Sequence, residues 1–243
     1  MSSCASGAGK GDIPPAPRQH SARGIAILLA ALGACAAAWG AEPTADDGFR
    51  LPGDYSEQTT LAELQARFGP DNVQVAPPPV AHDSRRGLVL FPHDPSRRAY
   101  VAFHDEESLT GLASITVRDR GSRWRGKQGV RVGMSFAELR RANGKPFYFS
   151  GFDASLQGYV QDSWSPALDA EDDALGALDM DEGEQMYFAV ELGALPAAAA
   201  ASAQASWFPR DEVSVSSDDA RYPRVGELFE VTAIRAYTSL DDE

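Results

Sequence analysis

A capped helix is encoded twice in this chain with the same internal spacing. The first copy reads Thr-Leu-Ala-Glu-Leu-Gln-Ala-Arg-Phe-Gly from residue 60, and the second reads Ser-Phe-Ala-Glu-Leu-Arg-Arg-Ala-Asn-Gly from residue 135. In both, a Ser or Thr cap stands three positions before a glutamate, which is the capping-box pattern. A leucine follows the glutamate, and a glycine closes the segment. We therefore predict two short helices of one design and an internal duplication.

Segments with two-residue periodicity follow each predicted helix. They cover 88–91, 99–103 and 113–117 after the first helix, and 147–149, 186–191, 213–216 and 229–237 after the second. We predict an α+β fold of two tandem units, 58–125 and 126–243, each a helix followed by an antiparallel meander. The helices should cover one face of the sheet. An acidic loop at 169–184 and an Ala-rich stretch at 195–206 are interpreted as insertions in the second unit.

The N-terminal segment, residues 1–41, has the composition of an export signal. Arg18 and Arg23 precede an apolar run over 24–34, and small residues follow it. The run is shorter than the ~20 residues that span a bilayer. A cleaved secretion signal is therefore predicted.

Two cleavage sites fit this segment. Leu32-Gly33-Ala34-Cys35 is similar to a lipobox, in which Cys35 would carry a lipid, whereas Ala38-Trp39-Gly40 fits an ordinary small-x-small site. Residues 42–57 would then form a tether. We expect a periplasmic protein, or one on the periplasmic face of the outer membrane if Cys35 is acylated. Membrane contact is expected only through the signal or the lipid anchor.

The net charge of −13 argues against nucleic acid as a partner, because phosphates repel an acidic protein that lacks a basic face. One basic-leaning stretch runs from Arg118 to Arg131. It is interpreted as a solvated edge, and the alternative is a docking site for an anionic partner.

Common catalytic signatures are missing from the sequence. There is no Gly-x-Ser-x-Gly elbow and no Gly-x-Gly-x-x-Gly turn after a strand. Both cysteines, Cys4 and Cys35, lie within the N-terminal segment, so that no cysteine nucleophile is expected after it. We expect no catalytic residues and no cofactor.

Three histidines stand at even spacing, each followed by aspartate: His82, His93 and His104. Imidazoles supported by carboxylates are typical zinc ligands. Such a site requires all three to converge, and the alternative interpretation places them separately in a loop, a turn and a strand end.

Alternating carboxylates in the acidic loop suggest a second cation site. Asp179, Asp181 and Glu184 surround a glycine, as in calcium-binding loops, although the full twelve-residue pattern is missing. A solvated acidic loop is the alternative.

Four large aromatic residues, Trp124, Trp164, Trp207 and Phe208, allow two interpretations. They form either an exposed binding patch or the edges of the core.

The second helix and its surroundings carry a family resemblance. The segments Gly129–Leu139, Asn143–Phe147 and Gly151-Phe152 resemble a group of uncharacterised bacterial exported proteins with the pattern G-x-x-x-G-x-S-x-x-E-L, N-G-K-P-F and G-F. The resemblance covers most of residues 58–238. Where the group often has Trp-Asp-Tyr after Gly-Phe, this chain has Asp153-Ala154-Ser155-Leu156. The group implies no activity.

At the level of fold, the helix-plus-sheet pattern loosely resembles SmpA/OmlA-like lipoproteins and the tandem repeats of β-lactamase-inhibitor proteins. Both present a sheet surface to another protein, which implies an envelope protein as a possible partner. We expect a non-catalytic exported envelope protein that binds a protein or supports the envelope. The alternative is a periplasmic hydrolase, or a metal or small-ligand binder that uses dispersed His, Asp and Glu residues.

Overall fold

A computed structural model describes residues 48–76, 86–152, 158–160, 164–166, 175–195, 208–210 and 213–238. All of these belong to one unit of the chain, residues 45–243. The predicted signal, Cys35, His82 and residues 196–206 of the Ala-rich stretch lie outside the described residues.

Both predicted helices are confirmed. Helix α1 spans Leu61–Phe68 and helix α2 spans Phe136–Asn143, and each begins with a complete capping box. In α2, for example, Ser135 Oγ accepts the Glu138 N–H, and the Glu138 carboxylate accepts the Ser135 N–H at 2.9 Å. The capping hydrogen bonds satisfy N–H groups that the first helical turn leaves without a partner. A third, four-residue helix, α3, spans Val225–Leu228.

The other regular elements of the described residues are two 3₁₀ turns, Pro70–Asn72 and Lys127–Gly129, and eight strands. The strands are β1 (Val73–Ala76), β2 (Gly87–Leu90), β3 (Ala99–Asp105), β4 (Thr110–Val117), β5 (Tyr148–Phe149), β6 (Tyr187–Ala194), β7 (Val215–Ser216) and β8 (Phe229–Tyr237). Six of them form an antiparallel sheet in the order β1-β2-β3-β4-β8-β6, and β5 pairs with β7. The fold is therefore α+β, as the sequence predicts.

Isolated bridges link the short β5 strand to the large sheet. Phe149 pairs with Val160, and Tyr159 pairs with Glu191 of β6, both in antiparallel geometry. The segment 158–160 therefore lies between β5 and β6, with Val160 N–H donating to Val190 O at 3.0 Å.

The core lies on one face of the sheet, together with the helices. Leu64 and Phe68 of α1 and Phe136 and Leu139 of α2 are buried there, whereas Leu61 is only partly buried. Aromatic rings pack in two groups, around Trp124 beside α1 and around Trp164 beside α2. These rings contact one another mostly edge-on or tilted, as aromatic side chains prefer in protein interiors.

Residues 48–57, which the sequence places in a tether, contribute to this core. Phe49, Leu51 and Tyr55 are buried, and the Phe49 ring lies 5.1 Å from the ring of Trp124. Leu51 N–H also donates to the Arg125 carbonyl at 2.8 Å. The segment is otherwise polar and contains Gly and Pro, so that its composition predicts a tether. The prediction misses the three apolar residues that fix the segment to the core.

None of the helices in the described parts of the chain is long and apolar enough to cross a bilayer.

Candidate functional site

The side of the sheet that faces away from the helices combines small buried residues with partly exposed tyrosine and arginine side chains. Strand alternation sends every second side chain to this side. Val89, Ala102, Ala189 and Ala233 are buried on it but do not belong to the core cluster. We call this side the open face.

Two cross-strand rows form the centre of the open face. One row runs Val89–Tyr100–Thr116–Arg235–Ala189, and the next runs Gly87–Ala102–Ser114–Tyr237–Tyr187. The small members are buried, whereas the three tyrosines and Arg235 are partly exposed. Large side chains therefore surround a set of smaller buried residues, which we call the floor of the open face: Gly87, Val89, Ala102, Ser114, Thr116 and Ala189.

The tyrosines and Arg235 are arranged by the strands that carry them. Tyr187 and Tyr237 are directly paired on β6 and β8, and their rings stack with centroids 5.5 Å apart. The guanidinium carbon of Arg235 lies 5.5 Å from the centre of the Tyr237 ring, within cation–π range. Arg235 Nε is buried and makes no hydrogen bond with any residue that the structure describes.

The hydroxyls of the floor are also without partners in the described chain. Ser114 and Thr116 have only 4% and 6% of their surface exposed. Neither side chain makes a hydrogen bond to a described residue. Thr116 is the direct cross-strand partner of Arg235, and Ser114 is that of Tyr237. The floor therefore offers two hydroxyl groups beside one cation.

Ion pairs cover the neighbouring part of the open face. The Arg118 guanidinium donates to both carboxylate oxygens of Glu191 at 2.7 Å, and Arg120 pairs with Glu230. Arg125 donates to the Ser122 and Trp124 carbonyls. The stretch between Arg118 and Arg131 is therefore solvated only in part: Arg118 and Arg125 are partly buried and paired, whereas Arg120, Arg123 and Arg131 are largely exposed, as a solvated edge predicts.

The acidic residues of the predicted calcium loop do come together, but around a lysine. Lys127 Nζ donates to Asp181 Oδ2 at 2.7 Å, to Glu184 Oε2 at 2.8 Å and to the Asp179 carbonyl. The Lys127 side chain is 8% exposed. Its ammonium occupies the position where the carboxylates converge, so that this cluster supplies its own cation.

The predicted histidine site is not assembled by the residues that the structure describes. His93 is exposed in the turn between β2 and β3, and His104 lies near the far end of β3. At ~3.3 Å per residue, His104 is roughly 16 Å along the strand from Ala99, where β3 begins. His104 Nε2 is instead hydrogen-bonded to Thr238 Oγ1 at 2.7 Å. His82 lies outside the described residues.

The aspartate beside His93 has a structural role in the turn. Asp94 accepts hydrogen bonds from the Ser96 hydroxyl and from Arg97 Nε, both at 2.6 Å. These bonds, above all the one from Ser96, lower the pKa of Asp94 to about 2. A carboxylate held ionised in this way stabilises the turn and does not act as a proton donor near neutral pH.

The three described residues of this aromatic set fit the interpretation as core and core edge. Trp124 and Trp164 are fully buried, and their indole N–H groups donate to the Arg97 and Phe188 carbonyls at 2.7 and 2.8 Å. Phe208 packs against Phe152 and Phe229 at the core edge. Trp207 lies outside the described residues.

The four large side chains of the open face were not predicted as a site. Tyr100 is the second residue of β3 and Tyr187 the first residue of β6, and Arg235 alternates with Tyr237 in the last strand. That alternation is the available signal, since it places polar and aromatic residues on one side of each strand. Their proximity depends on the pairing of β4 with β8, which no local pattern encodes.

The sequence matches no protein-family model, no curated protein and no solved structure. Among the described residues, no three His, Cys, Asp or Glu side chains are placed to hold a metal ion.

Proposed function

We propose that this chain is a non-catalytic protein-binding module of the bacterial envelope and that it binds its partner through the open face. The observation that carries the proposal is the group Tyr100, Tyr187, Arg235 and Tyr237, partly exposed over a floor of small buried residues. Tyrosine and arginine are enriched where protein interfaces derive most of their binding energy.

The rest of the open face suits the edge of such an interface. The ion pairs Arg118–Glu191 and Arg120–Glu230 already satisfy their charges within the chain. Polar groups with internal partners can border an interface without a large desolvation cost. The antiparallel sheet holds the tyrosines on paired strands, so that little side-chain freedom is lost on binding.

A tandem origin of the two halves fits this surface. The strand order from the β4–β8 junction outward is β4-β3-β2-β1 on one side and β8-β6, segment 158–160 and β5 on the other. In the chain, α1 is followed by β1 to β4, and α2 is followed by β5, segment 158–160, β6, β7 and β8. Strand β7 pairs with β5 and has no counterpart in the first half, whereas the last strands of the halves pair with each other. Tyr100 and Tyr187 both lie in the third segment of their half. Two copies would thereby form one wide face.

The proposed setting rests on the sequence of residues 1–41, with its basic residues and short apolar run. Export would place the module in the periplasm, and acylation of Cys35 would hold it at the periplasmic face of the outer membrane. Neither setting requires a further membrane contact.

Quantitative affinity capture tests the proposal. Tagged protein is expressed in its own host, and captured envelope proteins are compared between wild type and Tyr187→Ala. We expect at least one envelope protein to fall by about tenfold or more, since truncating an interface hot spot costs ~2 kcal/mol. Arg141→Ala on the exposed surface of α2 is the matched control and should leave capture unchanged.

A thermal melt of each variant checks that the substitution has not unfolded the protein. Equal capture of every envelope protein by wild type and by a folded Tyr187→Ala variant, repeated with Tyr100→Ala, would rule out the open face as the binding surface.

A further inference from the structure

We infer that the centre of the open face is a carboxylate-binding site, in which Arg235, Thr116 and Ser114 receive an acidic side chain of the partner. This inference rests on the proposed function and gives the chemistry of the partner at that face.

The first step is the state of Arg235. Its guanidinium forms no ion pair with any carboxylate that the structure describes, and Nε is buried without a hydrogen-bond acceptor. A partly desolvated cation without an acceptor is unfavourable, and an anion placed beside it offsets that cost.

The second step is the pair of hydroxyls on the floor. Thr116 is the direct cross-strand neighbour of Arg235, and Ser114 lies two residues along the same strand, on the same face. Both side chains are more than nine-tenths buried and make no hydrogen bond within the described chain. A hydroxyl can donate to a carboxylate oxygen while the guanidinium donates to the other oxygen.

The third step is the shape above these donors. Strand β4 lies between β3 and β8, so that the strands carrying Tyr100 and Arg235 are roughly 9.5 Å apart. Tyr100 on one side and Arg235 with Tyr237 on the other therefore flank Ser114 and Thr116, which are buried beneath them. A carboxylate that approaches Arg235 would lie between these large side chains, where part of the water around it is excluded.

The charge balance selects a carboxylate over a polyanion. The site has one unpaired cation, which matches one negative charge with the planar geometry that guanidinium and carboxylate share. A phosphate-rich polymer would bring many charges to a chain of net charge −13, which repels it.

The test is an NMR titration of the purified protein, with the side-chain Nε–H resonances of arginine as the readout. The probes are N-acetyl-glutamate methylamide and its glutamine analogue. We expect the Arg235 resonance to shift and saturate with the glutamate probe and to stay in place with the glutamine probe. The exposed Arg140 of α2 is the internal control for non-specific charge effects.

Variants assign the roles of the groups. Thr116→Val removes the hydroxyl at nearly constant volume and should weaken binding of the glutamate probe about threefold to tenfold. Arg235→Gln should abolish saturation. The inference is overturned if Arg235 shifts no more than Arg140, if the glutamine probe binds equally well, or if Thr116→Val binds as wild type does.

The two proposals fail separately. If partner capture depends on Tyr187 but is unchanged in Arg235→Gln, the open face binds a protein without recognising a carboxylate through Arg235. If the glutamate probe saturates the Arg235 resonance but partner capture is the same for wild type and every open-face variant, the carboxylate site is supported and the protein-binding function is refuted.

Discussion

The substitution Lys127→Met isolates the contribution of the ion cluster that Lys127 forms with the acidic loop. Methionine keeps most of the aliphatic stem of lysine and removes the ammonium, together with its three hydrogen bonds to Asp179 O, Asp181 and Glu184. The loop 179–184 would lose its main polar attachment to the 3₁₀ turn at Lys127–Gly129.

The exposed fractions set the size of the effect. The Asp181 side chain is 78% exposed and returns readily to water, so that its pair contributes little. Glu184 is 23% exposed and Lys127 is 8% exposed, so that this pair is the partly desolvated one. A hydrogen bond to a charged group contributes ~1.5–3 kcal/mol, and part of that is regained because the ammonium no longer has to be buried. We expect a loss of about 2 kcal/mol.

Denaturant unfolding of wild type, Lys127→Met, Glu184→Gln and the double variant measures the coupling as a double-mutant cycle. A loss of about 2 kcal/mol corresponds to a Tm lower by roughly 4–8 °C for a domain of this size. Arg140→Met, which removes an exposed cation from α2, is the control and should change stability little. A coupling free energy near zero would refute the reasoning that Lys127 and Glu184 hold the loop.

Three further predictions follow from the fold and the sequence. Leu64→Ala and Leu139→Ala, at 1% and 0% exposure, should each destabilise the protein by about 2–4 kcal/mol in denaturant unfolding, and a negligible effect would contradict their place under α1 and α2. Folding lowers the pKa of Asp94 from 3.8 to about 2, so that the ionised carboxylate stabilises the protein fully above pH ~4 and this stabilisation is lost as the pH falls towards 2. Asp94→Asn should therefore flatten this part of the acid unfolding curve, and a variant curve equal to that of wild type would contradict the prediction. Metabolic labelling with a fatty acid should mark wild type but not Cys35→Ala if the lipobox is used, whereas equal labelling of both excludes it.

The helices were predictable because their signals are local. The cap, the glutamate three residues later and the terminal glycine lie within ten residues, and each acts on the backbone next to it. The strand Phe229–Tyr237 was predicted with its observed bounds for the same reason, since strict alternation extends over its whole length.

The contacts that build the open face were not predictable from local patterns. Arg118 and Glu191 are 73 residues apart in the chain, and Lys127 and Glu184 are 57 apart. Both pairs depend on strand order and on the register of β4 with β8, which propensity and periodicity do not specify. The sequence therefore showed acidic and basic stretches, and only the pairing of strands determines which charges neutralise each other.

Site-specific photo-crosslinking in living cells tests the open face most directly. A photoreactive phenylalanine analogue is placed at Tyr100 in one strain and at Arg140 of α2 in another, and ultraviolet light is applied before the envelope is analysed. We expect a discrete crosslinked product from position 100 and none of that mass from position 140. Crosslinks from position 140 alone, or the same product from both positions, would contradict the assignment of the open face as the surface that binds the partner.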